Sequence, residues 1–298
     1  MATPEACGAR KGLRYSPAMN PKCFVLVGIT LLSLISVSRV ASAELIRDVE
    51  YAKTDGVSLK LDVNVPEGKG PFPIAILVHG GGFTNLTKQQ SITPLFPVLT
   101  DAKFTWFTID YRGLLASTYP VWVEDVERSI RWVKTHAAEY KGDPDRVALI
   151  GESFGGYLVC LAAGRATKET KVNAVVVCYG PFSDLEALAK KGSIPPTAKK
   201  MYGIQKDENA TKILREASVL TYLKPGLPPI LLIHGTADEK VPYAGSVGAQ
   251  KRLAAAGVSC ELIAVTNAPH GMINWDAFDQ SYKARMIEWL ERTLGPQK

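Results

Sequence analysis

The chain has 298 residues, enough for one α/β domain or two small ones. Hydrophobic residues make up 46% and charged residues 21%, a globular balance that excludes disordered and fibrous classes. The formal charge is +6, but residues 1–43 hold five Lys/Arg against one Asp/Glu, leaving 30 against 28, or +2, for residues 44–298. No basic patch is interleaved with aromatics, so nucleic acid is not an expected partner.

Residues 1–43 read as a targeting segment outside the fold. Lys22 precedes fifteen apolar or small residues, 23–37, too few for a membrane span of about 20. Ala41-Ser42-Ala43 has the small-x-small form of a signal cleavage site. The expectation is a secreted or periplasmic protein cleaved after Ala43, with no stable membrane partner; a membrane anchor is the alternative. A start at Met19 instead of Met1 makes a compact leader. Three cysteines follow, Cys160, Cys178 and Cys260, an odd number that gives no disulfide framework. Cys160 and Cys178 fall in segments expected to be buried and read as inert core thiols. No C-x-x-C or histidine cluster suggests a metal, and no cofactor is implied.

From Glu44 onward, residues 46–51 and 59–65 alternate in hydrophobicity, as half-buried strands do, with the turn signal Asp55-Gly56 between them. A Pro/Gly-rich loop is expected over 66–73. Residues 74–78 form a continuous apolar run, the mark of a buried parallel strand. The run ends in His79-Gly80-Gly81-Gly82-Phe83, followed by a polar helix candidate. Residues 104–109 read as another strand, ending in Asp110-Tyr111-Arg112. A helix is expected over 124–140, with Val126, Ile130, Val133 and Ala137 on one stripe. Asp143-Pro144-Asp145 reads as a stop before a strand at 147–150. Further strands are expected at 172–177, 230–233 and 259–265, and helices at 243–256 and 276–294. Alternating strands and helices predict an α/β fold, a mostly parallel sheet covered on both faces. About fifty residues separate two of these strands, far more than a usual connection. This stretch, 180–228, has helical signals at 185–191 and 211–220, and it predicts a small helical cap.

The organising stretch is Gly151-Glu152-Ser153-Phe154-Gly155, after a strand and before a helix. Three fixed letters are a weak signal, but that context is the nucleophile elbow G-x-S-x-G. The glycines permit a sharp turn that lifts the Ser153 hydroxyl above the sheet, beside a helix N-terminus. A serine hydroxyl needs a base, and the base needs an orienting acid. Of the four histidines, His136 lies off its helix's apolar stripe and reads as solvated. His79 and His234 end strands and read as structural. His270, in the loop after the last strand, stands where the base of an elbow serine belongs. Asp238, in the loop after the preceding strand, is the expected acid, with Glu239 its rival. The order Ser153, Asp238, His270 is the order this motif demands. The oxyanion donors are expected to be the N–H groups of Phe154, Gly81 and Gly82.

Taken together, these motifs resemble the α/β-hydrolase superfamily over nearly all of residues 44–294, and more narrowly its HGGG-bearing esterases. Hormone-sensitive-lipase-like carboxylesterases and bacterial acetylxylan/feruloyl-esterase-like proteins are both similar. Glu152 and Phe154 stand where such esterases often have Asp and Ala. The short N-terminus and the leader favour the carbohydrate-esterase side. The resemblance implies a serine esterase acting on short-chain acyl esters, acetyl or feruloyl groups on carbohydrate among them, through an acyl-enzyme. The expected partner is thus a small-molecule or carbohydrate ester, with the oligomeric state open. A prolyl-oligopeptidase-type peptidase and a non-catalytic hydrolase-fold binding protein are the alternatives. The strands and loop at 44–73, in place of cap helices, predict a site open on one side and best suited to short acyl groups.

Overall fold

The computed structural model describes residues 43–81, 87–182, 184–190 and 194–295. The expected leader, up to residue 42, lies outside the described residues, as do Gly82 and Phe83.

Among the described residues eight strands form one sheet: β1 (Glu44–Thr54), β2 (Val57–Val65), β3 (Phe72–Val78), β4 (Thr105–Ile109), β5 (Gly142–Glu152), β6 (Ala174–Cys178), β7 (Ile230–Gly235) and β8 (Cys260–Val265). Their spatial order is β1-β2-β4-β3-β5-β6-β7-β8. The β1–β2 and β2–β4 pairs are antiparallel, and every pair from β4–β3 to β7–β8 is parallel. Among the described residues five helices follow strands of the sheet: α1 (Phe96–Asp101), α2 (Val121–His136), α3 (Phe154–Gly164), α7 (Tyr243–Ala255) and α8 (Tyr282–Leu294). Three short ones lie between β6 and β7: α4 (Leu185–Lys190), α5 (Pro196–Met201) and α6 (Ala210–Ala217).

The apolar runs of the parallel strands serve two faces at once, because successive side chains point to opposite sides. Ile74, Ile76 and Val78 join Val147, Leu149, Val175 and Leu232 in a core under α2, α3 and α7. Ala75 and Leu77 join Ala148, Ile150, Val176 and Ile233 in a second core under α1 and α8. The result is the three-layer α/β sandwich expected from the sequence. The stripe of α2 is buried as expected, at Val126, Ile130 and Val133. Cys160 and Cys178 are buried and free, and burial pushes both thiols well above their ordinary range.

Several boundaries differ from the sequence expectation, each for a local reason. β3 begins inside the expected loop, at Phe72, whose N–H donates to Lys141 O at 2.7 Å. The stop expected at Asp143-Pro144-Asp145 is an irregularity inside β5: Phe72 pairs with Gly142, but Ile74 pairs with Val147. Arg146 fastens it, bonding Asp143 at 2.8 Å and Pro71 O at 2.9 Å. The polar helix expected after Phe83 is, among the described residues, a turn followed by Thr93–Leu95 and α1. The last helix starts at Tyr282, not at 276. A 3-10 turn, Met272–Ala277, comes first, and the Asp279 carboxylate then takes the Ser281 N–H at 2.7 Å, competing with helix propagation.

The stretch between β6 and β7 packs on the α2–α3 side, where Leu185, Tyr202, Ile204 and Leu214 join that core. Hydrogen bonds tie it down: Tyr119 N donates to Met201 O at 3.3 Å, and Tyr157 OH to Ala217 O at 2.6 Å.

Candidate active site

The end of β5 turns directly into α3, and Ser153 is the hinge between them. It has φ +51° and ψ −118°, a conformation that L-residues rarely adopt. Its N–H donates to Cys178 O at 2.9 Å, anchoring the turn to β6. Glycine is required on both sides. A Cβ on Gly151 would collide with the Gly155 carbonyl, and one on Gly155 with the Val78 carbonyl. The elbow is therefore packed against the end of β3 with no room for a side chain.

Two loops bring partners to this serine. His270 follows β8, and its Nε2 lies 3.1 Å from Ser153 Oγ. Asp238 follows β7, and its Oδ2 lies 2.7 Å from His270 Nδ1. With Nδ1 donating to the carboxylate, Nε2 is left to accept the serine proton. Asp238 is buried and held in place: its Oδ1 accepts the Lys240 and Val241 N–H groups at 2.9 and 2.8 Å. Glu239 is exposed, and the carboxylate hydrogen-bonded to His270 is that of Asp238.

His234 supports the acid. It is fully buried, with one ring nitrogen 2.7 Å from Ser246 Oγ and Nε2 2.8 Å from Val241 O and 3.3 Å from Asp238 Oδ2. Burial pushes its pKa down, so it sits neutral with Nε2–H aimed at the acid loop. His79 is buried likewise, stacked on Tyr111 at 4.6 Å and bonded through Nδ1 to Gly80 O at 2.8 Å. Both are structural, in the sense expected. His136 is not solvated as expected; it is half-buried, stacked on Trp132 at 4.2 Å.

Sequence reasoning assigned Glu152 no role, yet it joins the parts of the site. It is buried, and it accepts hydrogen bonds from the Gly80 N–H and the Ser91 hydroxyl. It also bonds the hydroxyl of Tyr179, whose ring meets His270 edge-on at 4.9 Å. Burial, reinforced by Glu152, raises the Tyr179 phenol well above its usual range, so it remains a donor. Tyr179 OH in turn accepts the Met272 N–H at 3.3 Å, beside the His270 loop. The signal was present in the sequence: an acid next to the elbow serine must find donors or lose solvation. Glu152→Gln places an amide donor against groups that need an acceptor. The expected loss is about 1–3 kcal/mol, or about 2–4 °C in Tm per kcal/mol for a domain of this size. Thermal unfolding checks this, and an unchanged Tm contradicts it.

Of the expected oxyanion donors, Phe154 opens α3, where its N–H has no intrahelical acceptor. Gly81 has φ +78° in the loop after β3, and Gly82 lies outside the described residues. Among the described residues no cluster of His, Cys, Asp and Glu is arranged to hold a metal ion. A hydroxyl, an imidazole and a buried carboxylate in one hydrogen-bonded line can generate a nucleophile without one.

The sheet order, the elbow and the placement of the two partner loops define an α/β-hydrolase fold. Within that class, the chain belongs to the BD-FAE family, whose model matches residues 61–253. It is 31% identical over 185 residues to the probable carboxylic ester hydrolase LipM of Mycobacterium tuberculosis, covering 58% of this chain and 43% of that one. It is 28% identical over 228 residues to esterase LipQ of the same organism, covering 72% and 53%. The chain thus spans about half the length of these curated relatives. In fold it is similar to a truncated carbohydrate esterase from gut microbiota, with TM-score 0.72, 23% identity and coverage of 85% and 97%. No described helix is long and apolar enough to cross a membrane.

Proposed function

We propose that this chain is an exported serine carboxylic-ester hydrolase. Ser153 Oγ attacks the ester carbonyl as His270 Nε2 takes its proton. Asp238 keeps Nδ1 protonated and stabilises the imidazolium that forms. The N–H groups of Phe154, Gly81 and Gly82 receive the oxyanion. His270 then gives its proton to the departing alcohol, leaving an acyl group on Ser153. Water, activated by the same imidazole, releases the acid. The observation that carries this reading is the relay from Ser153 to Asp238, with steps of 3.1 and 2.7 Å. The names of the relatives and of the structural neighbour support ester and carbohydrate-ester substrates. The substrates are short-chain acyl esters, with acetyl and feruloyl groups on carbohydrate as the two candidate acyl groups. Residues 44–298 form the hydrolase domain, and 180–228 serve as its small cap.

The test is hydrolysis of p-nitrophenyl acetate and release of acetate from acetylated xylan by the purified chain; inertness of the folded protein toward every ester contradicts the reading. Export has its own check. Mass spectrometry of the protein from its host should find Glu44 as the first residue, whereas a membrane-bound form keeping residues 20–43 argues for the anchor.

A further inference from the structure

Next to the elbow lies a cavity of about 60 Å³ walled by Phe154, Tyr157, Pro181, Leu185, Met201 and Tyr202. We infer that this half-open pocket is the acyl site, with room for acetyl to butyryl groups and too little for longer chains or feruloyl. The inference rests on the esterase reading above and decides between the acyl groups that reading leaves open.

Position comes first. Phe154 directly follows Ser153, so one wall begins at the residue next to the attacking hydroxyl. Pro181 lies just beyond β6, whose last residue receives the Ser153 N–H. An acyl group on Ser153 therefore has this space within reach.

Chemistry comes second. The walls are ring faces and aliphatic groups. The Tyr157 hydroxyl is committed to Ala217 O at 2.6 Å, so it is not spare for a polar ligand. An apolar cavity with no polar partners holds hydrocarbon better than water.

Size comes third. A water-sized group needs about 10–15 Å³ of such volume, so 60 Å³ takes about four to six of them. The three tail carbons of butyryl fit. An octanoyl tail or the methoxylated ring of ferulate does not.

The walls cannot easily give way. Trp122 is fully buried, and it braces Phe154 at 5.3 Å and Tyr202 at 6.1 Å. Phe154 also meets Tyr157 at 5.4 Å. Four of the six wall residues, Pro181, Leu185, Met201 and Tyr202, belong to the stretch between β6 and β7. That stretch therefore sets the acyl length.

The experiment measures kcat/KM for p-nitrophenyl acetate, butyrate and octanoate and for methyl ferulate, with the wild-type chain, Phe154→Ala and Met201→Ala. Phe154→Ala keeps its backbone N–H, and Met201→Ala serves if the first variant does not fold. For the wild type we expect a rise of about fourfold per methylene from acetate to butyrate. At least a tenfold fall should follow by octanoate, with methyl ferulate lower still. Either variant should raise the octanoate-to-butyrate ratio at least tenfold. A wild type that takes octanoate or methyl ferulate as well as butyrate overturns the inference, as does an unchanged ratio in both variants. A folded wild type inert toward all four esters sinks the esterase reading itself, and the acyl site with it.

Discussion

Replacing Ser153 with Ala should lower ester hydrolysis by about four to six orders of magnitude while leaving thermal unfolding nearly unchanged. The two outcomes separate because the turn is held by its backbone, not by the hydroxyl. The Ser153 N–H bond to Cys178 O and the glycine contacts around it survive the substitution. What is lost is the only atom in the relay that can attack a carbonyl. Steady-state assays on p-nitrophenyl butyrate, with the melting curve beside them, make the comparison. Activity within tenfold of wild type contradicts the assignment.

Asp238→Asn should cost about four orders of magnitude in kcat. Asparagine can keep Oδ1 as acceptor for the Lys240 and Val241 N–H groups, so the loop need not move. Its amide nitrogen, however, then faces His270 Nδ1 as a donor. That forces the proton onto Nε2, the atom that must accept from Ser153 at 3.1 Å. Glu239→Gln, on an exposed side chain, should change kcat by no more than about twofold. If the Glu239 variant loses more activity than the Asp238 variant, the carboxylates have been assigned the wrong way round.

Much of the fold was legible because its strands are apolar runs bounded by glycines and polar turns. The 74–78 and 147–150 runs admit few other readings, and both lie at the centre of the sheet. Ser153, Asp238 and His270 were legible because each stands just beyond a strand, in a fixed order. The parts that stayed hidden depend on long-range contacts. Lys88 looked like part of a polar helix, yet it is buried, with its ammonium 2.9 Å from both Asp48 and Asp110. Nothing local predicts that, since the partners lie 40 and 22 residues away. The role of Glu152 was hidden likewise, because its donors come from the loops after β3 and β6. The cavity beside the elbow was the least legible feature. It exists only where α3, the end of β6 and the helices between β6 and β7 meet.

In the proposed reaction Ser153 is made nucleophilic by the His270–Asp238 pair. The most direct measurement treats the native protein with a fluorophosphonate and locates the adduct by peptide mass spectrometry. One adduct is expected, on Ser153, absent after heat unfolding and greatly slowed in the Asp238→Asn variant. An adduct on any other serine, or none on the folded protein, would contradict it.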